Sequence, residues 1–192
     1  EVRSIAADKR KDANARKALM AETDLIVLCL PDDAAKESVA LADSLGAKGP
    51  KIVDASTAHR VDPTWTFGFP EMTREQAALI AGARRVSNPG CYPTGAIALL
   101  RPLVDAGLLP RDFPVTVNAV SGYSGGGKSM IEAYDAKTAP NFELYGIGFE
   151  HKHVPEMQAR CGLVHPPLFA PAVIPAHRGM VVEVPLPLAA MP

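Results

Sequence analysis

Several things are scarce in this sequence, and each shortage removes a class of protein. Three cysteines, Cys29, Cys91 and Cys161, stand at irregular spacing. That pattern builds neither a disulfide framework nor a metal knuckle, and it fits a reducing, cytoplasmic setting with thiols open to chemistry. Neither charge is in excess: 20 Lys and Arg face 21 Asp and Glu, a formal net charge of -1. No basic field therefore points to nucleic acid or to an anionic membrane surface. No apolar run is long enough to span a bilayer. Glu1 to Ile5 also lacks the charged-then-apolar order of a signal peptide. Internal repeats and low-complexity tracts are absent.

What is present is a chain of 192 residues, 47% of them hydrophobic, enough for one large core or two small ones. Val2 to Ala6 reads as a short strand and Lys9 to Met20 as a polar-faced helix. Leu25 to Leu30 is an apolar run of strand length ending at Pro31, the pattern of a strand buried on both faces of a parallel sheet. Asp32 or Asp33 caps a helix to about Leu45, and Gly46 stops it. Lys51 to Ala55 is a further strand. Thr73 with Gln76 forms a capping box before a helical stretch from Ala77 to Ala81. Arg85 to Ser87 is a strand leading to Cys91. This rhythm predicts a doubly wound α/β nucleotide-binding domain.

The character changes after Leu109. Phe113 to Val120 and Met180 to Val184 alternate at period two, as strands of a sheet with one exposed face do. The reading is an α/β protein with a boundary near Pro110: a doubly wound domain of nucleotide-binding type over 1–110, then an α+β domain over 111–192. The doubly wound pattern opens at its second strand. The first strand, its glycine-rich phosphate turn and its helix, roughly 30 residues in such a unit, are expected upstream of Glu1. A closing helix is likewise expected beyond Met191 and Pro192.

Four clusters carry chemistry. In the first, Ser87 to Gly95 (Ser-Asn-Pro-Gly-Cys-Tyr-Pro-Thr-Gly) joins a strand to a predicted helix. Cys91 then lies near a helix N-terminus, where free N–H groups and the helix dipole favour thiolate and can hold an oxyanion. Gly90 permits the turn, and Pro93 fits the first helical turn. A small buried cysteine in an ordinary turn is the alternative.

The second cluster runs from Tyr145 to Met157 and holds His151 and His153, residues suited to moving protons near neutral pH. Two residues apart, their side chains point to opposite faces of a strand and about 200° apart on a helix, so one of them is expected to face Cys91. Two surface histidines at a solvated helix start are the alternative. In the third, Ser121 to Lys128, three consecutive glycines admit close backbone approach of a flat or anionic ligand, or simply make a flexible hairpin. In the fourth, Asp54 to Arg60 at a strand end, Ser56 and Arg60 are placed to meet a phosphate, unless they are only a cap and a surface arginine.

Taken together these motifs resemble the N-acetyl-gamma-glutamyl-phosphate reductases, in the shorter of their two forms. Asn88-Pro-Gly-Cys-Tyr-Pro-Thr94 is similar to the family's active-site signature. Val120 to Lys128 and His151 to Met157 follow in the family's order, and the wording of Cys29 to Asp33 and Asp54 to Arg60 agrees. The resemblance implies Cys91 as covalent nucleophile and His151, six residues after Tyr145, as the catalytic histidine in preference to His153. It implies substrate contacts from Asn88, Ser56, Arg60 and Tyr145, with Arg178 a further candidate. It places NADP against Leu30 and Pro31 at the adenosine, Gly125 and Gly126 at the nicotinamide, and Arg10, with Lys9 and Lys11, at the 2′-phosphate.

The implied substrate is a small acyl phosphate, reduced through a Cys91 thioester to N-acetyl-L-glutamate 5-semialdehyde. The implied setting is the cytoplasm and the implied state a homo-oligomer, with no metal, nucleic acid or membrane. The family's Gly-x-x-Gly-x-x-Gly cofactor turn does not occur in the sequence, so tight NADP binding by this chain alone is not expected. A sister reductase of aspartate-semialdehyde dehydrogenase or lysine-pathway type is one rival reading. A cysteine hydrolase or acyltransferase, and a binding chain without turnover, are the others.

Overall fold

The computed structural model describes residues 1–187 and residue 189. Met191 and Pro192, beyond which a closing helix is expected, lie outside the described residues. Contacts divide the chain into two compact units, Glu1–Pro89 and Gly90–Pro192.

The first unit is built on short apolar strands. In chain order it contains α1 (Ala13–Ala21), β1 (Leu25–Leu28), α2 (Asp32–Asp43), β2 (Lys51–Asp54), β3 (Thr66–Phe67), α3 (Gln76–Gly82) and β4 (Arg85–Ser87). The four strands form a parallel sheet in the order β1-β2-β4-β3, as the alternation of strands and helices predicts. Asp12 starts α1 by accepting the N–H groups of Asn14 at 2.9 Å and Ala15 at 3.2 Å, filling donors that have no helical partner. Met20 of α1, Val39 and Ala42 of α2, Leu28, Ile52 and Trp65 make one core. Each large side chain so buried contributes roughly 1.5–3 kcal/mol.

Three local expectations give way. Val2 to Ala6 forms no strand. Among the described residues β1 ends the sheet order, with Ile26 and Leu28 facing the core and Leu25 and Val27 51% and 62% exposed. The capping box at Thr73 and Gln76 does not form either. Gln76 is buried and its Nε2 donates to the Phe67 carbonyl instead, because a buried backbone acceptor left unmet costs more than an uncapped helix end.

The second unit contains α4 (Cys91–Asp105), β5 (Thr116–Gly122), α5 (Lys128–Asp135), β6 (Glu143–Leu144), α6 (Val154–Cys161), β7 (Leu168–Ile174) and β8 (Met180–Glu183). The sheet order is β6-β7-β5-β8, with β5 and β7 parallel and the two outer pairings antiparallel. β5 alternates half-buried and buried residues, which is the period-two signal made physical. Ile97 and Leu100 of α4, Met157 of α6, Val117, Phe169 and Val173 are fully buried or nearly so. Because α4 packs on α6 and β8, it belongs with this unit. The division therefore falls after Pro89, before the helix, whereas the change of sequence pattern falls near Pro110.

Candidate active site

Cys91 is the first residue of the 15-residue helix α4, with Gly90 as the preceding cap. The strand-to-helix turn predicted from sequence is thus present, and Pro93 occupies the first turn, where a missing N–H costs nothing. Cys91 is exposed, so it is not the small buried residue of the alternative reading. Gly90 is held from a distance: its N–H donates to Oε1 of Glu156 at 2.8 Å, and Glu156 is 1% exposed. Glu156 thereby fixes the backbone next to the thiol.

Around this turn lies an aromatic cluster. The Tyr145 hydroxyl donates to the Tyr92 hydroxyl at 2.8 Å, and Tyr92 donates to Ser121 Oγ at 2.7 Å. Tyr92 packs edge-on to Phe169 at 5.2 Å and to His151 at 6.5 Å, and Tyr145 lies 5.8 Å from the His151 ring. Burial pushes the Tyr145 hydroxyl above its ordinary range, helped by the bond to Tyr92 and by the charge a Cys91 thiolate would carry. Tyr145 therefore stays protonated and sits within electrostatic reach of Cys91. Burial, and secondarily Lys152, hold His151 below the usual imidazole value of 6.5.

The two histidines do not diverge as their spacing suggests. Their rings are 4.7 Å apart and both face Tyr92. Residues 151–153 form a turn before α6, so neither the strand period nor the helix period applies. His153 is buried at 6% exposure, whereas His151 is half-buried. Of the two, His151 is the one open to a ligand.

In the first unit, Ser56 and Arg60 lie in a loop organised by two acids. Asp54 is fully buried. Its carboxylate accepts the Ser56 N–H at 3.0 Å, the Ser56 hydroxyl at 2.6 Å and Nδ1 of His59 at 2.6 Å. His59 stacks on Trp65 at 4.2 Å. Asp32 accepts the N–H and the hydroxyl of Thr57. Arg60 is 7% exposed and donates to the Ala55 carbonyl at 2.8 Å. Ser56 and Arg60 are thus held in place by this loop's own hydrogen bonds. Asn88 follows β4, is exposed, and its N–H donates to the Asp54 carbonyl at 2.7 Å. A cleft of about 540 Å³ in this unit is lined by Asp43, Ile52, Thr66 and Arg85, at the amino ends of the strands, and shares no residue with these groups.

The glycine-rich segment is not a hairpin. Tyr123–Gly126 is a single 3-10 turn leading into α5, and Gly127 between them has φ +81°, a conformation that favours glycine. A side chain at Gly125 would meet nothing within 4 Å, so this backbone can be approached closely. Gly122 allows a different close approach: a Cβ there would lie 2.5 Å from the Ala176 carbonyl oxygen. The N–H groups of Gly122, Tyr123 and Ser124 donate to the carbonyls of Gly179, Ala176 and His177. That lacing sets the exposed Arg178 beside the start of the turn. Leu30 is 38% exposed and Pro31 precedes α2 beyond β1, while Arg10 is exposed ahead of α1.

Glu156, Tyr92, Ser121, Asp54 and His59 received no role from sequence, although each stands inside a motif singled out there. Cys29, expected to be buried in the apolar run, is exposed just past β1. Among the described residues no group of three or more His, Cys, Asp or Glu is arranged to hold a metal. None of their helices is long and apolar enough to cross a membrane.

Known proteins match this arrangement. The family described as "Semialdehyde dehydrogenase, dimerisation domain" matches residues 91–191, and "Semialdehyde dehydrogenase, NAD binding domain" matches residues 4–80. N-acetyl-gamma-glutamyl-phosphate reductase 2 of Nostoc sp. is 54% identical over 98% of the chain and 60% of its own length. The N-acetyl-gamma-glutamyl-phosphate reductase of Mesorhizobium japonicum is 54% identical over 98% of the chain and 61% of its own length. The chain thus spans about 60% of the length of these curated relatives. Among solved structures, aspartate semialdehyde dehydrogenase II from Vibrio cholerae aligns with TM-score 0.65 at 20% identity, over 86% of this chain and 56% of that one. The Francisella tularensis enzyme aligns with TM-score 0.66 at 13% identity, over 90% of this chain and 60% of that one. These two likenesses are of fold.

Proposed function

The chain belongs to the semialdehyde dehydrogenase family, and on that premise we propose that it carries the catalytic thiol of an NADPH-dependent N-acetyl-gamma-glutamyl-phosphate reductase. The observation that carries the reading is the exposed Cys91 at the first position of α4, with Tyr145 within its electrostatic reach and the His151 ring against Tyr145. The 54% identity to reductases of that name supports this substrate over that of the two aspartate enzymes aligned in fold, which are 20% and 13% identical.

In the reaction, Cys91 Sγ attacks the acyl carbon of N-acetyl-L-glutamyl 5-phosphate. The bond to the phosphate oxygen breaks, and a thioester remains on Cys91. A thioester accepts hydride far more readily than a carboxylate, which is the reason for covalent catalysis. NADPH, when bound, supplies that hydride. The resulting thiohemiacetal on Cys91 collapses to the semialdehyde and returns the thiolate. The N–H groups of Cys91 and Tyr92 at the start of α4 would suit an oxyanion on the attacked carbon, and His151 would handle the proton on the substrate oxygen.

Asn88, Ser56, Arg60, Tyr145 and Arg178 are the substrate-binding candidates. Ser56 and Arg60 would act chiefly by shaping their loop. The open backbone at Gly125 suits a flat nicotinamide, and at Gly126 the Met130 side chain would have to move aside, while Leu30, Pro31 and Arg10 are exposed as adenosine-side contacts need. Leu168 and Val181, 52% and 57% exposed on the sheet of the second unit, support a homo-oligomer, and the setting is read as cytoplasmic. The test is NADPH oxidation with the acyl phosphate by an enzyme carrying this chain. Cys91→Ser should abolish it while NADPH binding persists, and retained turnover would remove Cys91 from the mechanism.

A further inference from the structure

We propose that Ser121, Tyr92 and Tyr145 form a reversible hydroxyl line that delivers the Tyr145 O–H to the oxyanion created when Cys91 attacks a carbonyl. The inference rests on the reading of Cys91 as the nucleophile and adds a donor to it.

The three hydroxyls come from three separate elements. Tyr92 is in the first turn of α4, one residue after Cys91. Ser121 is on β5, and Tyr145 follows β6, with its N–H donating to the Pro171 carbonyl of β7 at 3.1 Å. Tyr92 is 3% exposed and Ser121 8% exposed, so their hydroxyls must be satisfied within the protein. The oxygen–oxygen separations are 2.7 Å and 2.8 Å. A hydroxyl carries one donor and two acceptor sites, so the same distances serve two orders of donation. In one, Tyr145 donates to Tyr92 and Tyr92 to Ser121. In the other, Ser121 donates to Tyr92, Tyr92 to Tyr145, and the Tyr145 proton is freed for another acceptor.

A negative oxygen forming beside Tyr145 selects the second order. The change is a rotation of three O–H bonds, so no proton leaves its oxygen. Donation along the line also polarises the terminal O–H, making Tyr145 a stronger donor than an isolated phenol. The chemistry it assists balances simply. The Sγ pair forms the S–C bond as the carbonyl π pair moves onto oxygen. That pair returns as the leaving group departs with its own bonding electrons. Tyr145 suits this task because burial keeps it protonated while leaving part of it accessible. A preorganised donor aimed at developing charge is usually among the larger catalytic contributions.

Two reagents separate this role from packing. p-Nitrophenyl acetate acylates a thiolate through an oxyanion and releases p-nitrophenolate. Iodoacetamide alkylates the same sulfur by displacing iodide, with no oxyanion. Both are applied to the whole chain in a Cys29→Ser background, since Cys29 is also exposed, and neither needs a cofactor. Tyr145→Phe should slow acylation about 10- to 100-fold relative to alkylation, and Tyr92→Phe, which keeps the ring against Phe169, about 3- to 10-fold. The double variant should be no slower than Tyr145→Phe, because Tyr92 acts through Tyr145. Losses that multiply, equal falls in acylation and alkylation, or unchanged acylation would each overturn the hydroxyl line. If both reagents still label Cys91→Ser at the parent rate, the failure lies instead with the nucleophile assignment.

Discussion

The backbone N–H of His153 donates to Nδ1 of His151 across 3.1 Å. A backbone N–H is always a donor, so Nδ1 is the acceptor and the neutral ring carries its proton on Nε2. His151 therefore meets a ligand as an N–H donor, and it does so while uncharged, because burial disfavours its cationic form. Such a ring is better placed to hold a substrate oxygen than to strip a proton from Cys91.

His151→Asn should lower turnover by roughly 10² to 10⁴, the usual loss for a general acid or base. Alkylation of Cys91 by iodoacetamide should change less than about threefold, since Nδ1 of His151 already accepts the His153 N–H and is not available to take the thiol proton. His153→Asn should cost less turnover, because the bond to His151 comes from its backbone. A parallel fall in alkylation and turnover would mean that His151 is the thiol's base after all.

The pH dependence follows from the same ring. The unfolded chain takes up this proton near 6.5, the folded chain only at lower pH. Between those values the unfolded state binds more protons, so acidification favours unfolding. The contribution of His151 to stability is complete above about 6.5 and is lost as pH falls through the folded value. NMR titration should place the His151 midpoint below 6.5, and the urea midpoint should drop less on acidification in His151→Asn.

The three thiols should separate cleanly. Cys161 is fully buried and its thiol is pushed up to about 12 by that burial, so it should resist iodoacetamide until the chain unfolds. Cys91 should react first and Cys29, exposed but not at a helix start, second. Peptide mapping after limited alkylation reads the order, and early labelling of Cys161 would contradict the packing of α6.

Asp54→Asn should cost about 1–3 kcal/mol in urea unfolding. An amide offers one acceptor oxygen where the carboxylate offers two, and Asp54 receives three donors from Ser56 and His59. Either the Ser56 N–H loses its acceptor, or the Ser56 hydroxyl and the His59 ring must turn from donating to accepting. Unchanged stability would show that the loop 55–60 holds its shape without the carboxylate.

Gly122→Ala should destabilise the second unit by about 1–3 kcal/mol. The new methyl would meet the Ala176 oxygen at 2.5 Å, and backbone cannot swing aside as a side chain does. A thermal melt within error of the parent would mean that the 176–179 loop yields freely.

What could be read from sequence was local. Arg85 to Ser87 followed by Gly90, Cys91 and Pro93 states a strand, a turn and a helix start within a few residues, and the structure has them. The apolar run at Leu25 gave its strand, but not which of its residues pack against the helices of the first unit. Burial on a given face depends on what packs there, and a run of leucines and valines carries no record of that. Thr73 and Gln76 matched a capping pattern, yet Gln76 had a stronger claim from the Phe67 carbonyl nine residues earlier.

The candidate site was legible as separate motifs and opaque as an assembly. Tyr92 and Ser121 are 29 residues apart, and Tyr92 and Tyr145 are 53 apart. No periodicity in the chain links them. The histidines misled for the opposite reason: a spacing rule was applied where the backbone follows no regular period. Both failures concern relations between elements, which only folding creates.

The bond between Gly90 and Glu156 spans 66 positions of sequence. Contacts so distant along the chain close late, after nearby helices and turns have formed. Until α6 docks, the residue ahead of Cys91 is untethered and the start of α4 is free to fray. A chain emerging during synthesis thus presents Cys91 before its surroundings exist, and they are completed only when α6 meets α4.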